Sequence, residues 1–292
     1  MSEIKVAFLG LGVMGAPMAG HLAKGGCSVK VYNRNTDKAK QWVEGNEGSY
    51  GVTPIEAIAQ AQYVMMCLGN DQSVRETLIE SGAIDAMREG TIVVDHTTTS
   101  AIVAREMAAE CEKRNLYFLD APVSGGQAGA ENGQLAVMVG GDARAFEQVE
   151  PIIGHYSKAT TLLGDSGAGQ LTKMVNQICI AGLVQGLSEG LAFSEKAGLD
   201  TKQVLSVISK GAAQSWQMEN RGETMVDDYF DYGFAVDHMR KDLGLCLDQA
   251  KMLKADMPIT TVVNDFYGEV QKMNGRWDTS SLIKRLGREI GS

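Results

Sequence analysis

A glycine pattern wedged between an apolar run and an amphipathic one, all within the first 24 residues, constrains the fold of this chain more than any other feature. Val6-Ala7-Phe8-Leu9 reads as a buried strand, Gly10-Leu11-Gly12-Val13-Met14-Gly15 comes directly after it, and a helical pattern then runs to Lys24. In a strand–GxGxxG–helix unit the first glycine permits the tight turn. The second lets a ligand approach the backbone, and the third lets helix and strand pack closely. The N–H groups of the helix's first turn then face outward with the positive end of its dipole, which suits a pyrophosphate.

The same alternation continues for about half the chain. Strand patterns fall at Ile4–Leu9, Ser28–Asn33, Tyr63–Leu68, Thr91–Asp95, Tyr117–Leu119 and Leu135–Val139. Helical patterns fall between them at Ala16–Lys24, Thr36–Val43, Ser73–Ser81, Ala101–Arg114 and Ala143–Ile152. Strands such as Tyr63-Val64-Met65-Met66-Cys67-Leu68 are apolar throughout, as in a parallel sheet covered on both faces. Beyond about Thr161 the strand patterns cease and long helical ones take over. Gly164 to Gly169 forms a glycine-rich joint, in which Asp165 or Ser166 could cap the next helix. The expected fold is therefore α/β: a Rossmann-type doubly wound domain over residues 1–163, then an all-helical domain over 164–292, joined by a long helix from Gln170 to Lys196. Gly182, Gly186 and Gly190 share one stripe of that helix, which predicts a neighbouring backbone packed close against it.

The end of the second strand bears on which dinucleotide the loop takes. An NAD site usually has a carboxylate there for the ribose 2′-hydroxyl. Here the strand runs Val31-Tyr32-Asn33-Arg34-Asn35-Thr36 and the first acid is Asp37. Arg34 offers a guanidinium to a 2′-phosphate, and Asn33, Asn35 and Thr36 add neutral hydrogen-bonding groups. NADP is the expected cofactor. An Arg34 stacked on adenine would also suit NAD.

Composition narrows the class. With 27 basic and 36 acidic residues the net charge is -9, which disfavours nucleic acid. Five cysteines, none in a CxxC pair, read as reduced thiols in the cytoplasm. No apolar run approaches the roughly 18 residues of a membrane span. His21, His155 and His238 lack metal-ligand spacing, so no metal is expected.

Three further segments carry chemistry. Asp95-His96-Thr97-Thr98-Thr99-Ser100 leaves one strand and Asp120-Ala121-Pro122-Val123-Ser124-Gly125-Gly126 leaves the next. Gly167-Ala168-Gly169-Gln170-Leu171-Thr172-Lys173-Met174-Val175-Asn176-Gln177 opens the long helix. Together with Phe8 to Ala19 and Lys241-Asp242-Leu243, they make the chain resemble, over nearly its whole length, the β-hydroxyacid dehydrogenases. That family includes 3-hydroxyisobutyrate dehydrogenases, tartronate semialdehyde reductases and glyoxylate/succinic semialdehyde reductases. The resemblance implies an oxidoreductase that moves a hydride between a nicotinamide cofactor and a small carboxylate-bearing substrate. It makes Lys173 the catalytic acid/base and Asn176 the group that positions substrate. Ser124, Gly125 and Gly126 would hold the substrate carboxylate. Thr98 would touch substrate or nicotinamide ribose, and Lys241 would lie against the cofactor. The residue types agree: a lysine ammonium can protonate a developing alkoxide, Lys173 and Asn176 share a helix face, and a Ser-Gly-Gly stretch can offer a hydroxyl and N–H groups to an anion. His96 reads as adjacent to the pocket at most. The family's build also implies a homodimer or homotetramer.

Departures leave the substrate open. Many 3-hydroxyisobutyrate dehydrogenases read Lys-x-x-Asn-Asn, whereas Gln177 stands here as in tartronate semialdehyde reductases. The segment from Gly211 to Trp216 should wall the pocket, yet its Trp216 matches no one subgroup. Alternatives open on the sequence alone are an NAD-dependent 3-hydroxyisobutyrate dehydrogenase type, a relative of 6-phosphogluconate dehydrogenase, an imine reductase, and a non-catalytic cofactor-binding protein on the same fold.

Overall fold

The computed structural model describes residues 3–287. The chain divides into two compact units between Lys173 and Met174. In the first unit, six strands form one parallel sheet: β1 (Lys5–Leu9), β2 (Ser28–Tyr32), β3 (Ser49–Tyr50), β4 (Tyr63–Met66), β5 (Ile92–Asp95) and β6 (Tyr117–Asp120), in the order β3-β2-β1-β4-β5-β6. The order turns back between β1 and β4, the switch point at whose carboxyl ends ligands of open α/β sheets bind.

The apolar strands are continuous because both faces are covered. On one face Val6, Phe8, Met65, Ile92 and Val94 pack with Met18 and Leu22 of the helix Gly15–Lys24. On the other, Ala7, Leu9, Val64, Met66 and Val93 pack with Val103 and Met107 of the helix Ala101–Glu112. Successive strand residues thus enter two different cores, and each fully buried large apolar side chain contributes roughly 1.5–3 kcal/mol.

A smaller sheet comes next, formed by β7 (Val123–Ser124), β8 (Leu135–Val139) and β9 (Ser157–Leu162). β7 pairs antiparallel with β8, and β8 pairs parallel with β9. The strand patterns miss β3, β7 and β9. β3 and β7 are two residues each, and Ser157-Lys158-Ala159-Thr160-Thr161-Leu162 is polar and largely exposed, so no apolar periodicity marks it.

The second unit is helical. Its elements are the remainder of the helix Ala168–Lys196, then Thr201–Ile208, Trp216–Val226, Val236–Leu253, Pro258–Asn274 and a 3-10 segment at Thr279–Leu286. One core joins Ala181 and Val184 to Val236, Met239, Leu243, Val263, Tyr267 and Val270, and another gathers Leu187, Leu191, Leu205, Met218, Met225 and Phe230. The fold class is the one expected from the sequence. The glycine stripe is a correction: a Cβ at Gly182, Gly186 or Gly190 would meet nothing within 4 Å. No segment of the described residues packs against that stripe.

Candidate active site

The glycine loop is built as the sequence requires. Gly10 has φ +98° and donates its N–H to Tyr32 O at 2.8 Å, and a Cβ there would strike the carbonyl oxygen of Cys67 just past β4. A Cβ at Gly15 would strike the carbonyl oxygen of Gly10. Gly12 differs, because nothing lies within 4 Å of where its Cβ would be. Met14, at the head of the helix Gly15–Lys24, supplies no side-chain cap. The loop is therefore locked at both ends and open at its middle, beside backbone N–H groups that no capping side chain covers. This cradle fits a dinucleotide pyrophosphate.

Past β2 the polar side chains divide in role. Asn33 Oδ1 accepts from Leu11 N at 2.9 Å and its Nδ2 donates to Asn35 O at 3.0 Å, so Asn33 braces the glycine loop from the neighbouring strand. Asn35 Oδ1 accepts from Asp37 N at 3.0 Å and caps the helix Thr36–Gly45. Arg34 is exposed, and among the described residues no carboxylate pairs with it. Asn33 and Asn35 are thus engaged in local structure, Thr36 is half-buried at the start of the helix, and Arg34 is exposed.

The ends of β5 and β6 converge on the start of the long helix. Asp95 Oδ1 accepts from Thr97 N at 2.9 Å, and burial pushes its carboxyl up to about 7. Thr97 Oγ1 accepts from Leu68 N at 2.8 Å. Thr98 is half-buried between the buried Thr97 and Thr99. His96 is a buried brace: Nδ1 lies 2.6 Å from Ala121 O and Nε2 lies 2.8 Å from Tyr156 Oη. A carbonyl can only accept, so Nδ1 carries the proton and Nε2 accepts from the tyrosine. Burial lowers the histidine to about 4, and it stays neutral across the physiological range.

The helix Ala168–Lys196 is capped, though by neither Asp165 nor Ser166. Asp120 Oδ1 accepts from Gly167 N at 2.7 Å and Oδ2 from Gln170 N at 2.8 Å, so the carboxylate that receives the first helical N–H groups stands at the end of β6. Burial raises Asp120 to about 6 against the pull of these N–H groups. Sequence reasoning misses Asp120 and also Gln170, whose carboxamide bridges Thr97 O and Thr99 N. Both stand inside runs that carry the resemblance, but a partnership across 50 residues leaves no local signal. Lys173 lies one turn after Gln170 and is only 8% exposed, unlike a solvated surface lysine. Ser124 sits in β7 opposite Ala136, and the chain then turns through Gly125 at φ +135° and Gly126 at φ +62°. Side chains rarely adopt those angles, and a Cβ at Gly126 would meet nothing within 4 Å.

The other expected residues belong to the second unit and form a chain there. Asn176 Nδ2 donates to Gln177 Oε1 at 2.8 Å, Gln177 Nε2 donates to Asp242 Oδ2 at 2.6 Å, and Lys241 Nζ stands 3.2 Å from Asp242 Oδ1. Gln177 and Asp242, which have no expected role on sequence grounds, thereby link Asn176 with Lys241. Trp216 is half exposed, with the Arg221 guanidinium 4.8 Å from its ring, and Arg221 is itself held by the buried Asp278.

Two family models divide the chain between them. The NAD-binding domain of 6-phosphogluconate dehydrogenase matches residues 5–164. The NAD-binding segment of NADP-dependent 3-hydroxyisobutyrate dehydrogenase matches residues 167–286. An uncharacterized oxidoreductase of Shewanella frigidimarina is 59% identical over 97% of this chain and 98% of its own. The 2-hydroxy-3-oxopropionate reductase of Escherichia coli is 34% identical over 97% of both chains. Among solved structures, Mycobacterium tuberculosis 3-hydroxyisobutyrate dehydrogenase with L-serine superposes with a TM-score of 0.90 at 29% identity, covering 98% of this chain and 100% of that one.

Gly10 and Gly12 make a diagnostic pair. Gly12→Ala should shift the melting midpoint by less than about 2 °C, as for substitutions at open positions. Its cofactor dissociation constant should nevertheless rise at least about tenfold, because the new methyl occupies the cradle. Gly10→Ala should lose the fold itself. Fluorescence titration beside a thermal melt checks both, and unaltered cofactor affinity in Gly12→Ala would place the pyrophosphate elsewhere.

Proposed function

Since the chain belongs to the β-hydroxyacid dehydrogenase family and is an NAD(P)-dependent oxidoreductase acting on CH–OH groups, we propose that it interconverts a small β-hydroxyacid and its semialdehyde with NADP(H), using Lys173 as general acid and base. The observation that carries this reading is the burial of Lys173 on a helix whose first turn is held by Asp120. A lysine only 8% exposed is costly to keep charged unless its burial serves a purpose, and a role in proton transfer accounts for it.

The bound nicotinamide would supply the hydride for reduction or accept it in oxidation. In reduction Lys173 donates a proton to the developing alkoxide oxygen, and its ammonium stabilises that charge beforehand. In oxidation the neutral amine takes the hydroxyl proton. Ser124 with the backbone of Gly125 and Gly126 receives the substrate carboxylate, and Asn176 and Thr98 orient the reacting end. Lys241 contacts the cofactor. Relatives named for 2-hydroxy-3-oxopropionate and 3-hydroxyisobutyrate support a short chain ending in a carboxylate. The domain partition that goes with this reading assigns residues 1–163 to cofactor binding and 164–292 to substrate and assembly. Free thiols at all five cysteines suit a cytoplasmic enzyme, which cell fractionation would test. No helix among the described residues is long and apolar enough to cross a membrane.

Support for NADP comes from the exposed Arg34, the absence of a carboxylate at the end of β2, and the NADP-dependent family model. Arg34→Asp should reverse the preference, because a carboxylate repels a 2′-phosphate and accepts from a 2′-hydroxyl. Catalytic efficiency with NADH at least equal to that with NADPH in the unaltered enzyme would refute the assignment.

Lys173→Ala should bind cofactor almost normally while turnover falls roughly 10²–10⁴-fold, the usual worth of a positioned proton donor. Ser124→Ala should act mainly on KM, since its hydroxyl holds the carboxylate in ground and transition states alike. Steady-state kinetics over a panel of β-hydroxyacids and semialdehydes gives both values. Near wild-type turnover in folded Lys173→Ala would sink the mechanism.

A homodimer or homotetramer completes the reading. The second unit exposes Phe193 at 73%, Val207 at 70% and Ile259 at 65%, and among the described residues nothing covers the glycine stripe of its long helix. Such apolar surface suits a contact between copies. Light scattering should return a multiple of 31.3 kDa, and a monomer at micromolar concentration would exclude assembly.

A further inference from the structure

The segment between Thr97 and Thr99 is held from the helix that carries Lys173. Gln170 is fully buried, its Nε2 donates to Thr97 O at 2.8 Å, and its Oε1 accepts from Thr99 N at 3.0 Å. A carboxamide presents a donor and an acceptor in one plane, so this side chain pairs with the backbone on both sides of Thr98 as a neighbouring strand would. Gln170 is seated in turn: its own N–H goes to Asp120 Oδ2 at 2.8 Å, and Gly167 N goes to the other carboxylate oxygen at 2.7 Å. Two bonds from one buried carboxylate to the first turn restrain both the height and the rotation of the helix. The packing leaves no slack, for a Cβ at Gly169 would run into the carbonyl oxygens of Met138 and Asp120. Lys173 lies three residues beyond Gln170 and so shares its helix face.

We infer that Gln170, seated by Asp120, is a positioning residue that fixes Thr98 and the Lys173 helix in one register for hydride and proton transfer. The inference rests on the reading of Lys173 as the proton donor. Space filling would also place a buried side chain here, but it does not call for a carboxamide bonded at both ends to the peptide groups on either side of Thr98. Thr99 Oγ1, buried and without a hydrogen-bond partner, shows that the neighbouring hydroxyl does not share this task.

The test compares Gln170→Met, which keeps length and loses both bonds, with Gln170→Glu, which keeps the acceptor, and with Lys173→Ala. Each is assayed as folded protein at saturating cofactor and substrate. Turnover, KM and the isotope effect of a cofactor deuterated at the transferred hydrogen are measured, and amide exchange at Thr99 is monitored in cofactor-free protein. Gln170→Met should lose about 10²-fold in kcat with KM and cofactor affinity within about threefold, the signature of misplaced reacting groups. Its isotope effect should rise as chemistry becomes limiting, and Thr99 should exchange faster. Gln170→Glu should fall between that variant and wild type. A lower melting midpoint with kcat per folded molecule and isotope effect unchanged would reduce Gln170 to a packing residue and overturn the inference. Should Gln170→Met fail to fold, Gln170→Glu decides by the same measurements. Wild-type turnover in Lys173→Ala would instead fault the proton-donor reading, whatever Gln170→Met does. A crippled Lys173→Ala beside an unimpaired Gln170→Met would fault only the positioning role.

Discussion

At the end of β6 the Asp120 carboxylate takes two N–H groups at the start of a 29-residue helix, and the stretch of that helix that carries Lys173 is seated by this contact. A helix start leaves its first N–H groups unpaired, and inside a protein each such group must find an acceptor. Here the acceptor comes from a strand 47 residues upstream of Gly167, so the sheet's edge and the long helix are joined by two charge-assisted bonds. The ionised carboxylate also opposes the positive end of the helix dipole, which offsets part of the desolvation that pushes Asp120 up to about 6. Removing it would leave buried N–H groups without partners, and that costs more than the bonds themselves contribute.

The ends of β5 and β6 show how this unit tolerates polar groups inside an apolar frame. His96, Asp95 and Asp120 are each neutral or hydrogen-bonded. His96 remains uncharged because burial lowers it to about 4, while its two ring nitrogens engage Ala121 and Tyr156. Asp95, raised to about 7, folds back on the N–H of Thr97. These groups give the loops past the strands a rigid base, and loops on a rigid base are where α/β proteins place their reactive residues.

In the second unit the departure at Gln177 gains a physical account. A longer carboxamide at this position reaches the buried carboxylate of Asp242 while receiving the amide of Asn176, and Asp242 also faces the Lys241 ammonium. A residue proposed to orient substrate and one proposed to contact cofactor are therefore connected through buried side chains. Asparagine at 177 would be one methylene shorter and would not span the same distance to Asp242.

Much was legible from the sequence alone because its signals are local. Glycines at 10, 12 and 15 after an apolar strand announce the turn, and the structure requires glycine at 10 and 15, where a Cβ would strike backbone, while position 12 stands open. The apolar runs of β1, β4 and β5 announced a sheet buried on both faces, and the loss of strand patterns past Thr161 announced helices. The turn through Gly125 and Gly126 stands where the glycines of the sequence place it, and Lys173 is buried. What the sequence could not supply were pairings between distant residues: Asp120 with Gly167 and Gln170, Gln170 with Thr97 and Thr99, Gln177 with Asp242. Nor could it show that Asn33 and Asn35 would be consumed by a brace and a cap, or that the Gly182 stripe would stand open. Periodicity and turn chemistry act between neighbours along the chain. Hydrogen bonds among buried polar groups depend on which strand ends the fold brings together, and only the tertiary structure decides that.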